Sequence, residues 1–475
     1  LSDNGAGDLL SATGPVTIAG GSVDMVANGS TFTDGQQYTI VSTTDTVTTE
    51  DGNSDGNAGF DTVTSNLAYL QATLGYTATS VILTLKADES VGFCLPGMNA
   101  NECATANGIH SLGPDNPLYQ IIQSLPADAV DNALSQLSGD TYSSIGNAMI
   151  ANSYYVRDAM SKRMRNAFGG IATGEEASTA SNYAAAPESD SPFGLFGENN
   201  SGVAVWLAGY GSWSDLKGSD GAASITSSVG GFFIGADVAA FDTMRFGALV
   251  GYGRSNFDVD GRNASGNSND FTLGAYGGGQ WDAIGIDFGA AYTWHDVSAK
   301  RYVSFTGLSE QLSGDYTAGT FQIYGDIGYT VQVDDNFRVE PFANAAYVYQ
   351  QTDSFTETGG IAALSRNGSD SSVGFTTLGL RAAYAFAAGQ YEAEVTGELG
   401  WRHAYGDVDP SSAVYFAGGD VFGIYGAPIA EDQAVISVGI ASKLSETLSI
   451  ELNYTGLFGG GYESQNVAGK LNLRF

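Results

Sequence analysis

Positive charge is scarce in this sequence. Eighteen Lys and Arg stand against 52 Asp and Glu, a net charge of −34. A nucleic-acid reader needs a basic face, so that class is excluded; the acidity itself signals solubility or repulsion from acidic surfaces. Long hydrophobic runs are missing too, and no stretch approaches the ~20 apolar residues of a spanning helix. That excludes a helical membrane protein. It leaves a membrane barrel open, because alternating strands average to a hydropathy near zero, here −0.06. Leu1 follows no initiator Met and opens no signal peptide, which predicts a processed product or a fragment of a longer protein. Chemistry-bearing motifs are equally sparse. His110, His295 and His403 are scattered without metal-ligand spacing, so neither a metal nor a catalytic histidine is expected. The Asp51–Asn57 stretch hints at a calcium loop but lacks the closing Glu, so it reads as a corner loop. No Lys-bearing phosphate loop is present, and no cofactor is expected. The two cysteines, Cys94 and Cys103, predict a small disulfide loop in an oxidising compartment, ahead of two free thiols.

What is abundant is glycine and aromatics: 65 Gly, 25 Tyr and 24 Phe. Residues 1–88 read as all-β. Pro15–Ile18, Ser22–Val26, Tyr38–Val41 and Val81–Leu85 are short strands set between Gly and Asn corners, the look of β-helix rungs. Two rungs alone bury no core, so more solenoid is expected upstream. Residues 89–118 read as loop. Ser124 is placed to cap a helix with Pro126 in its first turn and Gly139 past its end, with Ala129, Val130, Ala133, Leu134 and Leu137 as its apolar stripe. A second helix is predicted over 144–170: Ile145, Met149, Val156, Met160, Met164 and Phe168 recur at helical spacing before Gly169-Gly170. Residues 150–169 alone span ~30 Å. Residues 171–202 are Ala, Ser, Gly, Asn and acids, a linker.

From Val203 to Phe475 the texture changes to long alternating runs. Leu448, Ile450, Leu452 and Tyr454 fall on one face, and Ser449, Glu451 and Asn453 on the other. Tyr391, Val395, Leu399 and Trp401 oppose Glu392, Glu394, Glu398 and Arg402. Strands of a soluble sheet run ~5–6 residues, well short of these. Phe337, Tyr347, Tyr349, Tyr384, Phe386, Tyr391 and Trp401 gather at strand ends like an interfacial girdle. Short turns at Asp242-Thr243, Asp282-Ala283, Asp334–Asn336, Ala387–Gly389 and Ser445–Thr447 alternate with longer links near 259–267, 306–312, 358–368 and 406–431. The pattern predicts 12 strands, starting near Val203, Ile225, Met244, Asn267, Ile284, Gln311, Phe337, Asp370, Gln390, Asp432, Leu448 and Glu463. An even count returns both ends to the periplasmic side. The fold class is thus mostly β: a 12-stranded antiparallel transmembrane barrel with an α-helix in its lumen, preceded by a short piece of right-handed parallel β-helix.

The chain resembles the C-terminal half of a classical monomeric autotransporter (type V secretion). The resemblance rests on Asp61–Leu70 followed by Val81–Leu85, Ala133–Gly139, Tyr155–Met160, Ala204–Leu207 through Gly211, and the terminal Leu471-Asn472-Leu473-Arg474-Phe475. These run nearly the whole chain in the family's order; Leu473 departs from the usual aromatic at that place. The resemblance implies an outer-membrane barrel that secretes and anchors its own N-terminal passenger, an adhesin or virulence factor. It implies outer-membrane lipids and lipopolysaccharide, the barrel-assembly machinery (reading Leu471, Leu473 and Phe475) and periplasmic chaperones as partners, a monomeric barrel, and an autochaperone-like segment within about 30–88. The residues support a plug independently. The helix carries Arg157, Lys162, Arg163 and Arg165, while the inward faces carry Asp237, Asp287, Asp326, Glu340, Glu392, Glu394, Glu398 and Glu451. A basic helix in an acidic lumen is held by charge pairs. Asn147 and Asn152 lie on the helix without a diagnostic pair for passenger self-cleavage. Two alternatives stand: a hydrolase passenger whose motif lies upstream, and a simple diffusion porin with an open lumen.

Overall fold

A computed structural model describes residues 1–475 apart from 3–6, 30, 53–57, 88–91, 169–202, 220, 242, 389–390, 446–447 and 474–475. The 171–202 linker, the Gly169-Gly170 stop, most of the Asp51–Asn57 loop and the terminal Phe475 lie outside the described residues.

The N-terminal region repeats a three-strand path. β1 (Leu10–Ala12), β2 (Val16–Ile18) and β3 (Ser22–Met25) pair in parallel with β4 (Gln37–Thr43), β5 (Val47–Thr49) and β6 (Thr62–Ser65), respectively. The parallel stacking then stops. β7 (Leu70–Tyr76) and β8 (Ser80–Ala87) form an antiparallel hairpin, and β8 pairs antiparallel with β4. So Val81–Leu85, read from the sequence as rung-like, belongs to a hairpin that covers the stack's end. Met25, Phe32, Tyr38, Leu70, Leu83 and Leu85 form the core beneath it.

Five helices follow: α1 (Ala100–His110), α2 (Pro117–Gln123), α3 (Ala127–Leu137), α4 (Asp140–Asn152) and α5 (Tyr154–Phe168). The sequence reading differs from this at three points. Residues 89–118 are not all loop: the Asn99 side chain accepts from the Glu102 N–H, Glu102 reaches back to the Asn99 N–H, and this reciprocal cap starts α1. Ser124 does not cap the helix that follows it. It is the C-cap of α2, its hydroxyl donating to the Gln120 and Phe32 carbonyls. The predicted single helix over 144–170 begins earlier, at Asp140, and is two helices joined at Ser153.

The barrel strands are β9 (Val203–Leu216), β10 (Ile225–Ala240), β11 (Met244–Val259), β12 (Ala264–Trp281), β13 (Ile284–Phe305), β14 (Leu308–Tyr329) with its two-residue continuation β15 (Val331–Gln332), β16 (Phe337–Thr352), and, after β17 (Phe355–Thr356) and β18 (Leu364–Arg366), β19 (Ser369–Ala388) and β20 (Tyr391–Gly406). Then β21 (Ser411–Phe416) and β22 (Phe422–Tyr425) precede β23 (Asp432–Lys443), β24 (Leu448–Gly459) and β25 (Tyr462–Leu473). Every neighbour among the twelve long strands is antiparallel, and β25 returns to pair with β9 from Tyr462↔Leu216 to Leu473↔Val205. Closure leaves no edge, so every strand's backbone ladder is satisfied where no water could serve it. Each long strand begins within three residues of its expected position.

Burial is inverted relative to a soluble sheet. Leu452 is 56 % exposed while Glu451 beside it is 8 % exposed, and Ile450 and Tyr454 repeat the pattern against Ser449 and Asn453. Large apolar side chains turned outward around a closed barrel belong against lipid. Tyr347, Tyr384, Phe386 and Trp401 are exposed toward the strand ends, as a girdle requires.

The outer connections are not uniformly long. The expected link near 259–267 shrinks to the turn between Val259 and Ala264, and that near 306–312 to the turn between Phe305 and Leu308, because β13 and β14 continue for 22 residues each. A spanning strand needs ~9–11 residues, so this hairpin projects far beyond the membrane. Its tip joins a second core. Val303, Leu308 and Leu312 pack with Ile109, Ile122, Val130 and Leu134 of the helices and with Val414, Phe416 and Ile424 of the connection before β23. The order β17-β18-β21-β22 makes a small sheet across the two longest connections. Together these elements form a cap over the outer mouth. Cys94 and Cys103 are joined by a disulfide at its edge, Cα to Cα 4.6 Å. The N-terminal sheet docks on it through the Leu67↔Pro126 bridge and the Tyr69 hydroxyl, which donates to the Phe93 carbonyl at 2.7 Å.

Candidate functional site: the helix through the lumen

α4 and α5 run from the cap down the inside of the barrel. At ~1.5 Å per residue, α5 alone rises ~22 Å, most of a hydrocarbon core. Its apolar stripe is as the spacing predicts: Val156, Met160 and Met164 are buried against Trp206, Phe233, Leu249, Tyr276 and Tyr324 of the wall. Above it, Ile145 and Met149 of α4 pack with Phe257, Val297 and Tyr316. The lumen is therefore filled by close packing as well as by charge.

The four basic residues of α5 have four different surroundings. Arg163 makes the strongest contact, a bidentate pair with Asp237 (Nε to Oδ2 2.7 Å, Nη2 to Oδ1 3.0 Å). Arg245 of β11 donates to the same carboxylate at 2.7 Å, and the Tyr276 hydroxyl donates to it at 3.3 Å. Asp237 is 1 % exposed, so one buried carboxylate ties helix to wall. Lys162 pairs within the helix with Asp158 at 2.9 Å and donates to Asn453 Oδ1 at 2.8 Å. Arg165 donates to Ser161 Oγ one turn back. Arg157 reaches no carboxylate among the described residues. It donates to Ser153 Oγ and to Gln322 Oε1, and Gln322 in turn donates to the Ser153 carbonyl, bracing the joint between the two helices. Asn166 Nδ2 to Glu451 Oε2 (3.2 Å) and the Tyr155 hydroxyl shared with Ser212 and Ser464 complete the polar seat.

Among the acids singled out for the lumen, Asp237 and Glu451 meet the helix, whereas Asp326, Glu340, Glu394 and Glu398 are paired by the wall's own arginines. Glu340 and Glu398 both pair with Arg381 of β19, at 2.9 and 3.1 Å, and Asp326 joins them at 2.8 Å. Glu394 pairs with Arg338 at 2.7 Å. Glu392, near the start of β20, is exposed at the rim. Arg381 sits directly opposite Glu398 and Glu340 in the ladder, so it is placed to pair with them ahead of any helix side chain. Even-numbered and odd-numbered faces were legible in the sequence, and Arg338 and Arg381 were there to be counted with the acids. Asp237, by contrast, lies on an inferred inward face and does meet the helix.

The top of the plug is fixed by a second set of buried charges. Asp140, at the start of α4, pairs with Arg262 at 3.2 Å and accepts from the Ala223 N–H at 2.9 Å. Glu357, in the connection between β17 and β18, forms a bidentate pair with Arg301 at 2.6 and 2.7 Å, and accepts from the Tyr142 hydroxyl and the Leu364 N–H. Burial alone would raise the Glu357 carboxyl; Arg301 and these donors outweigh it and hold the group below the usual carboxylate range. No sequence pattern pointed to these residues, which come together only through three separate connections.

The remaining candidates are placed as follows. Leu471 is exposed on the outer face of β25, and the Leu473 backbone pairs with Leu448 and Val205. Asn147 Nδ2 donates to the Val408 and Ala427 carbonyls. His110 packs in the cap edge-on to Phe93 and tilted against Tyr119, His295 bonds Asp270 and Thr320, and His403 bonds Asp432, three separate places.

Parts of the chain are similar to known proteins. The chain is 27 % identical over 517 aligned residues to an extracellular serine protease of Serratia marcescens, covering all of this chain and 47 % of that protein. It thus spans about half the length of the curated relatives it matches. Among solved structures, the translocator domain of the autotransporter NalP from Neisseria meningitidis aligns with a TM-score of 0.48 at 14 % identity, covering 58 % of this chain and 89 % of that one. The transport unit of the autotransporter AIDA-I from Escherichia coli aligns at 0.43 and 17 %, covering 57 % and 90 %. The family model described as the autotransporter beta-domain matches residues 205–455, more than half of the chain. The chain therefore belongs to the autotransporter family, and its closed twelve-stranded barrel is that family's outer-membrane β-domain.

Proposed function

We propose that this chain is the translocator of a self-secreted protein, caught with the end of its passenger still attached on the outside. One observation carries the reading: a continuous helical path leads from the cap, through the lumen, to the periplasmic end at which β9 starts. A polypeptide in that position is what a passenger leaves behind after crossing its own barrel. The paired strands β1–β6 with the β7–β8 hairpin over them are, in this reading, the last rungs of a β-helical passenger, and the hairpin-bearing piece is the part that nucleates its folding. Assembly of the barrel uses the terminal Leu471–Phe475 sequence as the address for the assembly machinery, after periplasmic chaperones and before contact with lipopolysaccharide. A hydrolase passenger is favoured over an adhesin by one finding, the whole-chain match to a secreted serine protease.

The topology is tested by an epitope inserted at Gly113, in the turn between α1 and α2. That glycine has φ +79° and no heavy atom near its missing side chain. Antibody labelling of intact cells is the expected result. Labelling only after the outer membrane is permeabilised would reverse the orientation and remove the proposal.

A further inference from the structure

Two buried guanidinium groups share the same pair of aromatic rings without a carboxylate between them. Arg157 of α5 lies 5.3 Å from the Tyr154 ring centre and 5.1 Å from that of Phe375. Arg402 of β20 lies 5.2 and 3.9 Å from the same two rings. They are 4 % and 3 % exposed. Arg163, Arg245, Arg301 and Arg381 each reach a carboxylate within 2.8 Å; Arg157 and Arg402 reach none among the described residues. Asp158 and Glu398 are already taken by Lys162 and Arg381. Nη2 of Arg157 has no hydrogen-bond partner, and the Arg402 guanidinium donates to no acceptor among the described residues. Stacking on the rings recovers part of the lost hydration, but it cancels neither the mutual repulsion nor the unused donors. A cavity of about 10 Å³ opens beside Arg402, walled by Phe375, Gln433 and Tyr462. It has room for one species of about water's size.

We infer that this cavity is a binding site for a single small inorganic anion of the halide class. Arg402 donates to the ion directly, and Arg157 adds its positive field from across the shared rings. Oxyanions of phosphate size are too large for the space. The ion balances two like charges beside Ser153, where α4 meets α5, and so strengthens the seat of the plug. The inference concerns charge balance inside the barrel and stands whether or not the passenger reading is correct.

The test uses the intact chain, folded in detergent micelles, with bromide replacing gluconate at constant ionic strength. Thermal unfolding should rise saturably with bromide, and crystals grown in bromide should show an anomalous peak beside Arg402. Arg157→Gln should raise the half-saturating bromide concentration about tenfold, the loss of one charge's contribution. Arg402→Gln should abolish the bromide-specific rise. If Arg402→Gln does not fold, the anomalous map of the unaltered chain decides alone. No anomalous peak, with a water bridging Arg402 to Gln433 Oε1 in its place, would overturn the proposal. So would an unchanged bromide response in a folded Arg402→Gln.

Discussion

At the residue scale, Asp237 is the most consequential side chain in the lumen, because it answers two arginines from different elements. Asp237→Asn leaves Arg163 and Arg245 buried side by side, and removing one partner of a buried charge group costs about 3–5 kcal/mol. Arg163→Gln leaves the carboxylate still paired with Arg245, so its cost is expected to be smaller, about 1.5–3 kcal/mol. Urea unfolding of the solubilised barrel should rank the two in that order; no effect of Arg163→Gln beside a large effect of Asp237→Asn would mean that Asp237 serves the wall alone. Glu357 sets a pH dependence. Its carboxyl sits lower in the folded state than in the unfolded chain. The stability it contributes is therefore complete above the unfolded carboxyl range near ~4.3 and is lost as pH falls through the lower folded value. Glu357→Gln should flatten that acid limb in unfolding midpoints measured from pH 6 downward, while a limb of unchanged steepness would assign it to other carboxylates.

At the scale of elements, strand positions were legible because a membrane barrel obeys one strict rule, alternation over many residues, and closure adds no side-chain requirement that the pattern lacks. The plug was legible for a similar reason: Val156, Met160 and Met164 keep helical spacing whatever surrounds them. The pairings within the lumen were not. Glu398 faces the interior just as Asp237 does, yet it meets Arg381 across the ladder while Asp237 meets the helix. The difference lies in the register and in the helix's rotation, which no single strand records. The cap was missed because its core draws on α1–α3, one hairpin tip and two connections far apart in sequence. Its local signs were the apolar stripe of α3, which the spacing announces, and the Asn99–Glu102 capping pair of α1. The β4–β8 region carries its own prediction. Deleting residues 30–88 removes the sheet that β4, β7 and β8 build but touches no barrel strand. The barrel should still assemble, as judged by heat-modifiable migration, while surface passenger falls. Normal display after the deletion would show that passenger folding does not depend on this piece.

At the scale of the whole molecule, the barrel is sealed twice. The cap covers the outer mouth, and α5 fills the lumen with methionines and aromatics as well as a buried salt bridge. Neither layer suits a diffusion porin, whose lumen must stay open. The same two layers suit a translocator whose cargo has left and whose last helix remains. Single-channel conductance in planar bilayers is the most direct test of that account. The intact chain should conduct little, and a chain beginning after Phe168 should open to a large, steady conductance. Equal conductance for the two would contradict the plug, and with it the central claim that this barrel is closed by the chain it exported.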